Sequence, residues 1–575
     1  MKSKVLLGIM VWSLVAVASA QDDPGARPST PDVVGGLPFV GEVEVTVVNV
    51  NVYVTDKDGN AVTDLTADDF TLIHNGVPKP ISNFDLYTDK LYRTYFSDTA
   101  APAGLPTSTP IPGTEGLSRD SFRPVYLVLY FDNENSRALD RNRLITQMRS
   151  FIRENLNPPV QMMVISYSKT SEVLVPFTTD DREVYDALRE IKTMVGGRTE
   201  IDNTRKDILR DIAESQRSSS GRRDPQAMSR AHGQLIGFAE EEANSLQFTL
   251  GALRDTLTML SGLPGKKMII YISNGLPMIP GLDLFYAFAN SFQESSVVTE
   301  SSRFNMSRYF DTLVSNANAQ DVSLYTFGVG GLENPTLSSA ELGSRQDVLS
   351  ASMGMQNYLD PLRYMADGTG GTATLNTNDF TKGLDRVAQD LFTYYSLGFP
   401  LQQSGLDKIH KIKVEIPGHP EYRVRYRQRF VEKSLESRVQ DKVVTGLMFP
   451  LEDNPMELMI EVGDQAPATE TRWMVPFKIS FPLRKIALVP TGDEYVANVS
   501  LFVAARNDRG DRSDVVRQSH EIRVDAADYD SAQLERYTIS TNLLMDAGNH
   551  SIAVGLLDPV TRQSSYTATK VTVRE

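Results

Sequence analysis

The segment from Val125 to Phe131 consists entirely of apolar and aromatic residues. Such an uninterrupted run is typical of a strand that is buried on both faces, as the strands of a parallel sheet are. Predicted helices separate it from further strands at Val160–Tyr167, Lys267–Ser273 and Val322–Val329. This alternation over residues 124–400 predicts an α/β domain with a mainly parallel sheet and helices on both faces.

The alternation is interrupted at about residues 203–243. This stretch contains the polar sequence Arg217 to Asp224, which consists of arginines, serines, a glycine and an aspartate. We interpret the stretch as an insertion that is partly helical and has a mobile tip.

Strand patterns flank the α/β domain on both sides. Residues 40–92 alternate valines with polar residues between turn signals, which predicts a small β module. Residues 93–123 are rich in Pro, Gly, Ser and Thr and predict a linker. Residues 401–432 predict a β-hairpin extension with alternate arginines on one strand face, and residues 440–575 predict a C-terminal β-sandwich. The expected fold class is therefore α/β and all-β multidomain.

The first residues have the pattern of a secretory signal. Lys2 and Lys4 precede an apolar run, and Ala18-Ser19-Ala20 is a small-residue cleavage site, which predicts a signal peptide at residues 1–20. We therefore expect an extracytoplasmic protein, periplasmic or secreted, with no transmembrane segment after cleavage. The alternative is an uncleaved N-terminal anchor. The chain contains no cysteine, so its domains must be stable without disulfides.

Composition and motifs argue against several classes of function. The formal net charge of −15 disfavours nucleic-acid binding, which needs clustered lysines and arginines. The lack of cysteine excludes a thiol nucleophile and a thiolate zinc site. The histidines do not lie at metal-ligand spacing, and the sequence shows no catalytic triad or phosphate-binding loop. We therefore expect a protein that is not an enzyme.

The first strand of the α/β domain ends in a polar loop with the sequence Asp132-Asn133-Glu134-Asn135-Ser136. Ligands of open parallel sheets bind beyond the carboxyl ends of the strands. Asp132, Glu134 and Ser136 alternate along this loop, so their oxygens can be directed at one point. Oxygen ligands suit Mg²⁺, Mn²⁺ and Ca²⁺, and the loop is therefore a candidate divalent-metal site.

The order of elements, with this loop after the first strand, resembles the von Willebrand factor A family, and more narrowly the VWFA-related proteins of acidobacteria and similar bacteria. Three groups of short motifs carry the resemblance: Val54–Gly59 with Leu65–Phe70 and Asn75-Gly76; Leu263–Lys267 with Ile272–Pro277; and Thr369–Gly371 with Asn376–Asp379 and Tyr394–Gly398. It covers roughly residues 40–430 and implies a von Willebrand factor A-like doubly wound domain.

The resemblance also implies a site. The family's metal-ion-dependent adhesion site combines an Asp-x-Ser-x-Ser loop with a Thr from a second loop and an Asp from a third. Asp132 matches the first Asp of that pattern and Ser136 matches its second Ser. Thr199, which follows Gly196-Gly197-Arg198, matches the Thr.

Two positions depart from the family pattern. Glu134 stands where the first Ser is expected, and Asn274 stands where the third-loop Asp is expected. The total number of carboxylates is kept, but one has moved within the site. The alternative interpretation of the loop is a cap and turn at the strand end without any ion.

The resemblance implies an adhesion-type function, in which a carboxylate of a protein partner completes the coordination of a shared ion. The leading hypothesis is an exported protein-interaction protein with Mg²⁺, Mn²⁺ or Ca²⁺ at the degenerate site and a protein partner of unknown identity. The alternative is a metal-free structural or envelope-assembly scaffold. The changes at Glu134 and Asn274 favour this alternative.

Overall fold

The structure is a computed structural model, and it describes residues 45–96, 123–218, 225–332, 347–402 and 404–574. The predicted signal peptide at residues 1–20, most of the predicted linker at 93–123 and most of the predicted insertion tip lie outside these ranges. Within the described residues, no helix is both long enough and apolar enough to cross a membrane.

The first described segment forms four strands and one helix. They are β1 (Val45–Thr55), β2 (Thr71–His74), β3 (Val77–Lys79), β4 (Asn83–Tyr87) and α1 (Asp89–Phe96). Short 3-10 helices occur here and in later segments, at Ala67–Asp69, Ser301–Phe304, Leu483–Lys485 and Ala526–Asp528.

The next segment alternates strands and helices, in agreement with the prediction. Its strands are β5 (Val125–Asp132), β6 (Val160–Ser168), β7 (Thr170–Thr178), β8 (Lys266–Ser273), β9 (Val322–Gly328) and β10 (Ala373–Thr374). Its helices are α2 (Ala138–Asn155), α3 (Asp181–Thr193), α4 (Arg198–Ser218), α5 (Pro225–Met259), α6 (Leu282–Phe292), α7 (Ser296–Glu300), α8 (Ser307–Ala319), α9 (Asp347–Thr369) and α10 (Thr381–Phe392).

These strands form one six-stranded sheet in the order β10-β9-β8-β5-β6-β7. All neighbours are parallel except β6 and β7, which are antiparallel. One hydrophobic core packs helices that include α5 and α6 on one face, and a second core packs α2, α3 and α10 on the other. The strand order reverses between β5 and β8, so the crevice for a ligand is expected beyond their carboxyl ends.

The stretch predicted as an insertion at about 203–243 belongs to the domain core. Its described residues lie in α4 and in the first half of α5. Ala231, Leu235 and Phe238 are buried at helical spacing and belong to the core on one face of the sheet. The segment therefore extends the α/β domain instead of interrupting it.

Four further strands and a helix follow the α/β domain. They are β11 (Tyr394–Gln402), β12 (Lys408–Glu415), β13 (Arg423–Tyr426), β14 (Arg429–Glu432) and α11 (Leu435–Gly446). They do not form the separate hairpin extension expected at 401–432. Strand β13 pairs with β1, whereas β14 pairs with β12 and β12 pairs with β2.

Strands from both sides of the α/β domain thus form one two-sheet unit, composed of β1–β4 and β11–β14. Its sheets have the orders β13-β1-β11-β4 and β14-β12-β2-β3. Val50, Leu72, Leu397 and Val414 share its core. The structure therefore differs from the prediction of an independent β module at 40–92, because β1, β2 and β4 pair with strands from beyond residue 393.

The remaining chain forms a β-sandwich. Its strands are β15 (Met459–Val462), β16 (Ala466–Pro467), β17 (Arg472–Pro482), β18 (Val489–Thr491), β19 (Glu494–Asn507), β20 (Val516–Asp525), β21 (Arg536–Asp546), β22 (Gly548–Asp558) and β23 (Gln563–Val573), and a short helix α12 spans Tyr529–Ala532. One sheet contains β15, β16, β17 and β21, and the other contains β18, β19, β20, β22 and β23. Their inner faces enclose a single core.

Candidate functional site

Three loops meet beyond the carboxyl ends of β5 and β8. The loop after β5 contacts the segment between α3 and α4, where the Gly197 amide donates to the Asn133 carbonyl at 2.8 Å. It also contacts the loop after β8, where the Asn274 amide donates to the Asn135 carbonyl at 2.8 Å. The fold thus brings together the three segments that carry the five predicted site residues.

Two glycines allow this close approach. A Cβ on Gly196 would lie 2.2 Å from the Ser136 carbonyl oxygen, and a Cβ on Gly197 would lie 2.7 Å from the Glu134 carbonyl oxygen. Both contacts are with backbone, which cannot move aside as a flexible side chain can. Glycine is therefore required where the segment before α4 crosses the loop after β5.

Asp132 is fully buried at the base of this loop. The Tyr271 hydroxyl donates to its Oδ2, and Asn135 donates from its backbone amide at 3.0 Å and from its side-chain amide at 2.9 Å. Burial raises the pKa of Asp132 to about 6, while these three hydrogen bonds act in the opposite direction. The carboxylate is thus held by protein donors on both oxygens.

The Asn274 amide contacts the end of the loop and the first turn of α2. Its Oδ1 accepts a hydrogen bond from the Arg137 backbone amide at 2.8 Å, and its Nδ2 donates to Asp140 at 2.8 Å. An aspartate at this position could accept the first bond but could not donate the second. The departure from the family pattern therefore serves a hydrogen bond that only an amide makes here.

The other three predicted residues differ in their surroundings. Ser136 is buried, and its hydroxyl has no hydrogen-bond partner among the described residues. Glu134 is half-buried on the same loop, and Thr199 is exposed in the first turn of α4.

These surroundings do not fit a divalent ion held by the five predicted side chains. Among the described residues, the buried Ser136 hydroxyl has no hydrogen-bond partner, so its oxygen is available to a ligand. However, the Asp132 carboxylate already accepts three hydrogen bonds, the Asn274 oxygen accepts one, and Thr199 is exposed. Across the described ranges, no group of three or more acidic or histidine side chains is placed to hold a metal.

A buried network of charged residues lies beside these loops. Arg198 stacks on Tyr358, with its guanidinium carbon 3.9 Å from the ring centroid, and its Nε donates to Asp202 at 3.0 Å. Asp202 also accepts from Arg137 at 2.7 Å. The network connects the start of α4 to the loop after β5 and to α9.

The network continues into two further helices. The Arg205 Nε donates to Asp283 at 2.6 Å, which joins α4 to α6. Glu242 on α5 accepts hydrogen bonds from the Tyr358 hydroxyl and from the Gly281 amide. Burial raises the pKa of Glu242. These contacts therefore fix α4, α5, α6 and α9 to one another beside the three loops.

Sequence reasoning missed most of these residues. Tyr271 and Asn135, the donors to Asp132, and the members of the charged network were not expected at the site. Asn135 is adjacent to the predicted ligands and was within reach of a sequence argument. Tyr271 and the network come from separate strands and helices, so no sequence spacing connects them.

Three exposed apolar side chains surround the start of α2, and we call them the apolar rim. Leu139, Val195 and Leu332 are 83%, 85% and 70% exposed. Val195 precedes Gly196, which packs against the backbone of Ser136 and Ala138. Leu332 follows Gly331, whose Cβ would lie 2.9 Å from the guanidinium of Arg143, one helical turn after Leu139.

The family model for the von Willebrand factor type A domain matches residues 131–261. The matched segment begins at the last residues of β5 and ends just before β8. It therefore contains the loop of Asp132 and the start of α4. Among curated proteins, no sequence matches the chain.

Several solved structures share a partial likeness. The conserved hypothetical protein BatB from Bacteroides thetaiotaomicron is 12% identical, with 46% of this chain and 97% of that chain covered and a TM-score of 0.21. The vWF domain of the type V pili tip protein Mfa5 from Porphyromonas gingivalis is 12% identical, with 47% and 95% covered and a TM-score of 0.22. Likenesses this low carry no functional information. On the strength of the family match and of the doubly wound sheet that contains it, the α/β part of this chain is a von Willebrand factor type A domain.

Proposed function

We propose that the chain is an exported, non-catalytic protein-interaction protein. Its von Willebrand factor type A domain binds a protein partner without a divalent ion, at the edge formed by the loops after β5 and β8 and the segment before α4, which we call the loop edge. The observation that carries this proposal is the apolar rim. Large apolar side chains that are clustered and highly exposed are typical of protein-binding surfaces. Here they lie at the start of α2, just before Gly196 and after β9, on the side of the sheet at which ligands of this fold class bind.

The polar contacts of the loop edge support an interaction that needs no metal. Asp132 and Asn274 are engaged by protein donors and acceptors, so the loops have a fixed shape without an ion. A fixed surface loses little conformational entropy when a partner binds. The buried network of Arg198, Arg205 and Glu242 adds to this rigidity from below.

The test is a comparison of partner capture by matched variants. The full chain, immobilised in the presence of EDTA, is exposed to envelope proteins of the source cell. We expect the wild type to retain a specific partner and the double variant Leu139→Ser, Val195→Ser to lose it. The control is Leu406→Ser with Val560→Ser, which removes two apolar side chains that are also exposed, at 69% and 57%, on other parts of the chain.

Capture that survives the rim substitutions would refute the proposed surface. Capture that requires a divalent ion would refute the metal-independent mechanism. A chain with no partner under any condition would favour the metal-free structural scaffold that the sequence also allows.

A metal-assisted mechanism is the second candidate, because the buried Ser136 hydroxyl has no hydrogen-bond partner in the part of the chain that the structure describes. Glu134, half-buried on the same loop, would supply the carboxylate that Asn274 lacks. Calorimetric titration of Mg²⁺, Mn²⁺ and Ca²⁺ into the full chain separates the two mechanisms. Saturable binding that the Asp132→Ala variant loses would establish the metal site, whereas no binding would leave the metal-independent mechanism.

Export is the remaining part of the proposal, and it rests on sequence. The signal pattern at residues 1–20 and the absence of cysteine are both compatible with a protein that folds outside the cytoplasm by packing alone. N-terminal sequencing of the mature protein tests it. A mature chain that begins at Gln21 is the expected result, and an intact Met1 would contradict cleavage.

A further inference from the structure

Strand β21 lies at the edge of one sheet of the C-terminal sandwich. It pairs antiparallel with β17 over its whole length, from Arg536 opposite Pro482 to Asp546 opposite Arg472. No other described strand pairs with β21. Every second residue of an edge strand directs its backbone N–H and C=O away from the sheet. The outward-directed half of the backbone groups of this eleven-residue strand is therefore open on one side of the sandwich.

The other edge strands of the sandwich carry residues that oppose pairing with a further strand. Charged residues and prolines have this effect. They include Glu461 in β15, Pro467 in β16, Pro490 in β18, Arg523 in β20 and Lys570 in β23.

Strand β21 lacks this protection. Residues 537–545 have the sequence Tyr-Thr-Ile-Ser-Thr-Asn-Leu-Leu-Met and contain no charge, proline or glycine. Most of these residues favour extended structure. The only charges of β21 are at its two ends, where Arg536 and Asp546 are both exposed. Its sequence thus favours the addition of another strand.

The opposite charges at its two ends make β21 complementary to a second, antiparallel copy of itself. When two copies of β21 are placed antiparallel and fully overlapped, Thr541 lies opposite its own copy and Arg536 lies opposite Asp546 of the second copy. Ion pairs directly across two strands stabilise the pairing. Within one copy, Asp546 accepts a bond from Arg472 through Oδ1, and Arg536 donates to Ser480 and to the Glu457 carbonyl, so the pair across the two copies replaces exposed contacts of the single copy.

The same register also matches the two faces of the strand. Ile539 lies opposite Leu543, and Tyr537 lies opposite Met545, so the residues that face the sandwich core meet apolar residues. A shift by one residue would place core-facing residues opposite outward-facing ones. A shift by two residues would separate Arg536 from Asp546 at both ends of the pairing. The overlapped register is therefore the most favourable one.

We propose that β21 is a homodimerisation strand, which pairs antiparallel with β21 of a second copy of this chain in the register centred on Thr541. The two copies are related by a two-fold axis through Thr541, as an isologous contact requires. One sheet of each sandwich then becomes half of a continuous sheet across the dimer. This interface is separate from the apolar rim and independent of the proposed partner binding.

Two double variants of the exposed strand face test the proposal. Residues 540 and 542 lie opposite each other across the two-fold axis, and both are exposed in a single copy. Ser540→Glu is tolerated within one chain, because its partner on β17 is Lys478. Combined with Asn542→Glu, it places like charges opposite each other in the dimer. Combined with Asn542→Lys, it places opposite charges there.

Sedimentation equilibrium of the full chain gives the readout. We expect the wild type and the Ser540→Glu, Asn542→Lys variant to have twice the mass of the chain. The Ser540→Glu, Asn542→Glu variant is expected to show a twofold lower mass with an unchanged circular dichroism spectrum. In the dimer, hydrogen exchange at alternate amides of β21 slows relative to that variant.

Three results would overturn the proposal. A monomeric wild type at high concentration would show that the edge accepts a different occupant or none. A dimer that the like-charge variant retains would place the contact elsewhere. Loss of the dimer in both variants would contradict the register centred on Thr541.

Discussion

At the scale of single residues, Asn274 shows how one atom distinguishes two uses of the same position. Its amide accepts a hydrogen bond from the Arg137 backbone and donates one to Asp140. A carboxylate in the same place could serve an ion but would face the carboxylate of Asp140. The choice between amide and acid therefore decides whether the loop is closed by protein contacts alone.

We expect Asn274→Asp to lower the free energy of unfolding by about 1–3 kcal/mol in EDTA, because a donor is lost and two carboxylates then face each other. Denaturant unfolding of the full chain measures this loss. Asn316→Asp, on a helix away from the loop, is the matched control. Equal stability of the Asn274 variant and the wild type would contradict the closing role of this amide, and recovery in Mg²⁺ would support the metal-assisted mechanism.

A second residue-scale feature is a chain of buried polar groups in the two-sheet unit. His74 Nε2 lies 2.8 Å from His410 Nδ1, and His410 Nε2 lies 3.1 Å from Glu432. Because the Glu432 carboxylate only accepts, neutral His410 donates through Nε2 and accepts at Nδ1. His74 therefore donates through Nε2. The chain of bonds ties β2, β12 and β14 together.

This arrangement makes the unit sensitive to acid. Burial lowers the pKa of His74 below its ordinary value of 6.5, and the nearby His410 lowers it further. The pKa of Glu432 is also lowered by its donors Ser404 and His410, although burial opposes this. For both groups the folded state binds fewer protons than the unfolded state in acid. Their contribution to stability is therefore present at neutral pH and is lost as the pH falls.

We expect the free energy of unfolding of the wild type to decrease from about pH 7 to about pH 5, in part through His74. The His74→Phe variant removes this titration and packs an apolar ring beside Phe399 and Phe430. Its stability should therefore vary less with pH over this range. His419→Phe, at a histidine of the same unit whose side chain is 41% exposed, is the control and should keep the wild-type slope. Equal slopes in all three proteins would disprove the role of His74.

At the scale of elements, a buried ion pair is one of the contacts that hold the α/β domain against the two-sheet unit. Arg425 on β13 donates two hydrogen bonds to Asp390 on α10, at 2.7 and 2.8 Å. Tyr325 on β9 donates to the same carboxylate at 2.9 Å. Lys266 at the start of β8 lies 4.0 Å from the ring centroid of Tyr394 on β11. These buried contacts cross the boundary between the two parts.

We expect Asp390→Ala to destabilise the chain by about 3–5 kcal/mol, because it leaves Arg425 buried without its carboxylate. Thermal unfolding followed by circular dichroism measures the effect. Asp360→Ala breaks a surface pair with Arg363 on α9 and should change the stability by less than about 1 kcal/mol. A small effect at Asp390 would mean that this pair does not fix the boundary.

At the scale of the whole molecule, the two-sheet unit is built from both sides of the α/β domain. Strand β1 lies between β11 and β13, and β2 lies between β12 and β3. Strands β1, β2 and β4 therefore lack a sheet neighbour until the chain beyond residue 393 has been added. The α/β domain is in effect inserted into the unit.

This topology leads to a prediction about fragments. We expect residues 45–92 alone to lack a strand signal in circular dichroism, because they cannot close either sheet. Residues 45–433, which supply all eight strands of the unit, should fold cooperatively. Ordered structure in the short fragment would contradict the obligatory pairing across the inserted domain.

The sequence by itself predicted the α/β domain, because buried parallel strands and amphipathic helices leave strong local patterns. The run Val125–Phe131 became the central strand β5, as expected. The family resemblance was confirmed by the match over residues 131–261. The sequence also predicted that the first strand ends at Asp132, because polar residues at a strand end stand out from the apolar run before them.

Only the tertiary structure decided how these parts are used. The donors Tyr271 and Asn135 satisfy Asp132, and Asn274 closes the loop through Asp140, contacts that depend on the meeting of separate strands. In the same way, the module expected at 40–92 became half of a unit completed by β11–β14. Local patterns record which face of an element is buried, but a partner distant in sequence becomes apparent only when the chain is folded.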